Sequence, residues 1–121
     1  MNWYAAHTVL FLEYTDGGPQ DEYVMWENVY LVAADTDEQA QIRATEYARN
    51  DEDSDGSHGT VVEGRPARWV FAGIRKLIAC VDSDSRPDDG TEVTYSTFSV
   101  QTQDELDAFV SGKPVQVSYL E

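Results

Sequence analysis

The hydrophobic and polar positions divide the chain into strand-like and helix-like segments. Aromatic and β-branched runs at residues 3–14 and 23–34 are typical of strands, and the polar turn at residues 16–19 between them predicts an antiparallel hairpin. Residues 67–81 form the longest apolar run, which predicts a central strand with a bulge or bend at Gly73. Residues 92–101 and 115–120 predict two further strands.

Two helices are marked by the signals at their N-termini. Thr36 is followed three residues later by Gln39, and Thr102 by Glu105. This is the spacing of a capping box, which satisfies backbone amides at the start of a helix. The first helix should pack its alanine face closely on a sheet and end near Asn50.

The predicted order of elements is ββαββαβ. Without its first strand this is the βαββαβ order of ferredoxin-like, split-βαβ folds. We therefore expect an α+β fold in which an extra N-terminal strand pairs with the second strand and both helices cover one face of the sheet. The length of 121 residues fits a single domain over residues 1–121.

The charge of the chain narrows the choice of partners. The 23 acidic and 8 basic residues give a net charge of −15. Residues 1–64 hold 14 of the acidic residues against Arg43 and Arg49, a net −12. Such a field repels nucleic acid and anionic membranes and attracts a basic protein. An Asp-rich, Lys-poor surface also suits hydration in concentrated salt, and we favour this habitat or solubility origin of the charge over a partner-specific one.

The N-terminus and the single cysteine indicate the compartment. The first residues lack the positive region of a signal peptide, and no apolar stretch reaches the length of a membrane span. Cys80 lies alone in an apolar run, where we expect a buried, unreactive thiol and no intrachain disulfide. These features predict a cytoplasmic protein.

The acidic segment at residues 51–56 carries the sharpest local pattern. Carboxylates at its first, third and fifth positions, followed by a glycine, match the opening of a calcium loop. The match fails later, because His58 stands where the loop has an apolar residue and Val62 where it has its final glutamate. We favour a solvated acidic loop and keep calcium as the alternative; no other cofactor is expected. The candidate calcium ligands are Asp51, Asp53 and Asp55.

Basic residues gather on and beside the strand at residues 67–81. We favour internal counter-ions for the acidic loops as their role. The alternative is an anion-binding or partner-binding site made of Arg68, Trp69 and Arg75, in which Trp69 offers an aromatic platform. His7 lies in the middle of a strand, and we expect a packed residue there rather than a catalytic base.

Several of these segments also resemble a known family. The resemblance rests on the segments WYAAH at residues 3–7, WENV at 26–29, RPA at 65–67, WVFAGIRKL at 69–77 and DGTEVTY at 89–95. They are similar to an uncharacterised family of short, mostly bacterial single-domain proteins, classed as a domain of unknown function. The resemblance carries no catalytic residues across and implies a small cytoplasmic protein without assigned chemistry.

These features together predict a non-enzymatic module that binds another protein through an aromatic sheet face with an acidic rim. An inhibitor or immunity-type protein, steered by its charge onto a basic toxin or nucleic-acid-binding enzyme, is the most concrete form of this prediction. The uncovered sheet face also allows a homodimer. A small-ligand or calcium-binding domain is the alternative function.

Overall fold

The computed structural model describes residues 1–52, 61–80 and 82–120. Its elements, in chain order, are β1 (Asn2–Tyr14), β2 (Met25–Ala34), α1 (Asp37–Arg49), β3 (Val61–Val62), β4 (Arg65–Ala79), β5 (Phe98–Ser99), α2 (Gln103–Val110) and β6 (Ser118–Tyr119). The α+β class expected from the hydrophobic pattern is confirmed.

A four-stranded sheet with the order β2-β1-β4-β3 forms the body of the fold. β1 pairs antiparallel with β2 on one side and with β4 on the other, so the predicted N-terminal hairpin is confirmed. β4 bulges at Ala72 and Arg75, where its register with β1 shifts. Between the bulges lies Gly73, with φ +155°, which confirms the predicted irregularity at this glycine.

α1 covers one end of this sheet with a face of small side chains. Its N-cap is Thr36, whose hydroxyl accepts a 3.1 Å hydrogen bond from the Gln39 amide, as the capping box predicts. The Gln39 side chain reaches one residue further back, to the amide of Asp35. Alanines let the helix approach the sheet closely, and the resulting core consists of Tyr4, Ala6, Val32, Ala34, Ala40 and Ala44.

An extended segment at residues 91–97 lies on the opposite face of the sheet. The Lys76 ammonium donates a hydrogen bond to the Tyr95 carbonyl, and the Cys80 thiol lies 3.6 Å from the Val93 carbonyl. His7, which bonds to Thr94 of this segment, is buried, and so is Ala5 on the same face of β1. Cys80 is a buried free thiol, as expected from its apolar surroundings, and this burial raises its pKa.

The C-terminal strands are shorter than the sequence predicts and form their own sheet. Only β5 remains of the strand expected at 92–101, and it pairs antiparallel with β6. Phe109 of α2 contacts Phe98 of this small sheet, with ring centroids 5.2 Å apart, and α2 does not join α1 on the larger sheet. The physical reason is that residues 91–97 are held by side-chain and carbonyl contacts to β1 and β4, so they do not extend the backbone ladder.

Candidate functional site

His7 stands at the centre of a polar cluster between the sheet and residues 91–97. Its Nδ1 lies 2.9 Å from Oε1 of Glu27 on β2, and its Nε2 lies 2.6 Å from the hydroxyl oxygen of Thr94. The Arg75 guanidinium donates to the same Glu27 oxygen at 2.8 Å. The side chain of His7 is only 6% exposed, whereas those of Arg75 and Glu27 are 30% and 34% exposed, so the cluster is buried at its histidine and open to water at its ion pair.

The ionised carboxylate of Glu27 determines which ring nitrogen of His7 carries a proton. Partial burial raises the pKa of Glu27, but the hydrogen bonds from Arg75 and His7 outweigh burial, so the net pKa lies below its usual value. An ionised carboxylate only accepts hydrogen bonds, so the Nδ1 of His7 carries a proton and donates it. In neutral His7 the Nε2 then accepts from the Thr94 hydroxyl.

The hydroxyl of Thr94, the imidazole of His7 and the carboxylate of Glu27 are bonded in that order. Catalytic nucleophiles are connected in the same way to a base and to the acid that orients the base. The cavity beside Thr94 measures about 20 Å³, which is room for about one water molecule. What the cluster does in the fold is hold three parts of the chain together, since it joins β1, β2 and the segment at 91–97.

The residues of the predicted anion site lie apart. The guanidinium of Arg68 is bonded to Glu13 at 2.8 and 3.1 Å. Arg75 binds Glu27, and the ring of Trp69 packs edge-on against Trp26 at 5.4 Å. Trp26 and Glu27 are consecutive residues on opposite faces of β2, so Trp69 and Arg75 also contact opposite faces.

Of the predicted calcium ligands, only Asp51 lies in the described part of the chain. Its carboxylate accepts a hydrogen bond from the Tyr30 hydroxyl. Burial and this bond raise the pKa of Tyr30 to about 12. Asp53 and Asp55 lie outside the described residues, so the calcium site stays a prediction. Within residues 1–52, 61–80 and 82–120, no group of three or more His, Cys, Asp and Glu side chains is placed to hold a metal ion.

The most exposed apolar part of the sheet is β2, which forms one of its edges. In an antiparallel pair the backbone groups of alternate residues point to opposite sides. The carbonyl of Val24 accepts a hydrogen bond from the Leu12 amide, and the carbonyl of Asn28 accepts one from the Thr8 hydroxyl, so the even-numbered residues point toward β1. The carbonyl of Ala33 instead accepts from Arg43 of α1.

The odd-numbered residues of β2 therefore direct their N–H and C=O groups outward. Three of them also expose apolar side chains, with Met25 70%, Val29 46% and Leu31 44% accessible. We define the β2 edge as the outward backbone of Met25, Glu27, Val29 and Leu31 together with these three side chains.

Within residues 25–34, the β2 edge has none of four features that protect many natural edge strands. Natural edges are blunted by lysine, proline, bulges or short length. β2 has 10 residues without lysine or proline, and it pairs with β1 in an unbroken register. Glu27 is its single charged residue, and that carboxylate is turned onto Arg75 and His7. The strand thus presents a long apolar edge that another chain can pair with.

Acidic residues stand at both ends of the β2 edge, and a groove adjoins one end. The exposed acidic residues are Asp21 and Glu22 before the strand and Asp35, Asp37 and Glu38 after it. The groove has a volume of about 330 Å³ and runs between the end of β2 and α1. Ala33 and Ala34 line it on one side, and Ile42 and Arg43 on the other. Its apolar floor and charged rim suit a side chain that has both an apolar part and a polar part.

The sequence predicted the aromatic strand that became β2, but it did not predict that β2 lies at an edge of the four-stranded sheet. Runs of aromatic and β-branched residues mark both central and edge strands, and only the pairing order separates the two. The partnership of His7 and Thr94 was also missed, because 87 residues separate them in the chain. The absence of lysine and proline in β2 is the one sequence signal for an unprotected edge.

The comparisons with known proteins show the family of this chain. A family model described as "Domain of unknown function (DUF4288)" matches residues 3–96, so the chain belongs to that family and the resemblance seen in the sequence is confirmed. The match includes β2 and the His7 cluster and ends before β5. No curated protein and no solved structure matches the chain. In the described residues, no helix has the length and apolar character needed to cross a membrane.

Proposed function

We propose that this member of the DUF4288 family is a non-enzymatic, acidic interaction module that binds a basic protein at the β2 edge. The observation that carries the proposal is an exposed apolar edge strand with acidic residues at both ends. An inhibitor or immunity-type protein in the cytoplasm, acting on a basic toxin or a nucleic-acid-binding enzyme, is the form we favour.

The two features of the surface have separate roles in binding. Burial of Met25, Val29 and Leu31 supplies affinity, at roughly 1.5–3 kcal/mol for a fully buried apolar side chain. The net charge of −15 raises the rate of encounter with a basic partner. Charge steering is screened by salt, whereas apolar burial is not, so the two contributions separate in a salt series.

The proposal is tested with a partner captured from cell lysate at low salt and then purified. We compare the wild type with Leu31→Glu and with the control Val110→Glu, which places the same charge on an apolar residue of α2 that is 77% exposed. The expected result is unchanged affinity for Val110→Glu and a loss of at least about tenfold for Leu31→Glu. The association rate of the wild type should fall steeply as salt rises.

Two results would contradict the proposal. One is equal affinity of the Leu31→Glu and Val110→Glu variants, which would place binding away from the β2 edge. The other is an association rate that does not change with salt, which would remove the role of charge.

A further inference from the structure

We infer that the β2 edge binds an extended, basic segment of its partner as an added strand of the four-stranded sheet. This inference rests on the proposed function and specifies how the partner is held. The segment has apolar side chains at alternate positions and lysine or arginine near its ends.

The backbone of β2 supplies the first argument. Met25, Glu27, Val29 and Leu31 point their N–H and C=O groups outward at alternate positions, which is the spacing that an added strand requires. In strand addition these backbone bonds give affinity, and the side-chain contacts give specificity. The Arg43 guanidinium binds the Ala33 carbonyl and so ends the free edge at that residue.

The side chains supply the second argument. Met25, Val29 and Leu31 lie on the same face of β2, because their positions differ by even numbers. An added strand would place its own apolar side chains beside them on that face. The groove of about 330 Å³ next to Ala33 then receives a side chain from the end of the segment.

The negative charge of the chain favours a basic partner over a second copy of this chain at the β2 edge. Two copies paired antiparallel about Val29 would bring the acidic residues that precede β2 in one copy near those that follow β2 in the other, and each copy carries a net charge of −15. Like charges placed opposite each other are destabilising. A segment with cations near its ends faces the same carboxylates with favourable charge.

Amide hydrogen exchange measured by NMR tests the inference. The probe is a synthetic peptide of alternating valine and threonine with lysines at both ends. In the free protein the outward amides of Glu27, Val29 and Leu31 should exchange fast, while those of Asn28 and Tyr30, which point toward β1, exchange slowly. With the peptide bound, the outward amides should become protected. No change in their exchange at millimolar peptide would overturn the inference.

Variants separate strand addition from simple apolar contact. Val29→Pro removes an outward N–H but leaves the pairing with β1, since proline is tolerated where the N–H faces solvent. We expect it to lower peptide affinity at least about tenfold, while Val29→Thr, which keeps the N–H, binds like the wild type. The same peptide methylated on alternate backbone nitrogens should bind as weakly, which keeps the test valid if Val29→Pro is unstable.

The outcomes distinguish this inference from the proposed function. If Val29→Pro and the methylated peptide bind normally while Leu31→Glu loses the natural partner, strand addition is wrong and the interaction module stands. If Leu31→Glu also keeps the natural partner, the proposed function fails. If the outward amides become protected at high salt as the protein concentration rises, without peptide, the edge belongs to a second copy and the basic partner is wrong.

Discussion

Replacing Thr94 with valine tests how the segment at residues 91–97 is held on the sheet. The substitution keeps the branched shape of the side chain but removes the hydroxyl that lies 2.6 Å from Nε2 of His7. His7 is 4% exposed, so its Nε2 would lose its hydrogen-bond partner at a site that water hardly reaches. A buried polar atom left without a partner costs about 1–3 kcal/mol, which is the expected fall in the free energy of unfolding.

The assay is urea unfolding followed by tryptophan fluorescence, with the slope of the transition checked for constancy. A double-mutant cycle isolates the contact. In a His7→Leu background there is no ring nitrogen to satisfy, so Thr94→Val should cost less than about 0.5 kcal/mol. An equal cost in both backgrounds, or a cost below about 0.5 kcal/mol in the wild type, would refute the role of this hydrogen bond.

Other predictions concern the core, a helix cap and an alkaline titration. Leu10 is fully buried, so Leu10→Ala should lower the free energy of unfolding by about 2–5 kcal/mol in urea titrations, against less than about 0.5 for the exposed control Leu120→Ala. Thr36→Ala removes the N-cap of α1 and should cost about 1 kcal/mol in the same assay; no change would contradict the cap. The pKa of Tyr30, raised to about 12, should appear in an ultraviolet absorbance titration, and Asp51→Asn should lower it. Because this pKa lies above the unfolded value of about 10, the stability from Tyr30 holds below pH 10 and is lost as the pH rises through about 12.

Local signals explain the parts of the fold that the sequence predicts well. The Thr36 and Thr102 caps form as expected, because a cap depends on residues within one helical turn. Gly73 marks a real irregularity of β4, because a glycine inside a strand permits a backbone conformation that other residues avoid. The N-terminal hairpin forms because two long β-prone runs are joined by a turn-forming segment.

The strands at the C-terminal end show where local signals fail. Residues 92–97 have strand-like composition, but Thr94 and the Tyr95 carbonyl bond to His7 and Lys76 across the face of the sheet. A strand forms only when a neighbouring backbone is available to pair with it, and composition does not reveal that neighbour. β5 is therefore only two residues long.

The sequence by itself determined the α+β class, the helix starts, the bulged strand, the acidic charge and the family, because each follows from residue type and short-range spacing. Tertiary structure decided that β2 lies at an edge, that Trp69 and Arg75 contact opposite faces, and that His7 meets Thr94. These features depend on the order in which strands pair and on the bulges at Ala72 and Arg75. Both are set by contacts between distant parts of the chain, which no local pattern encodes.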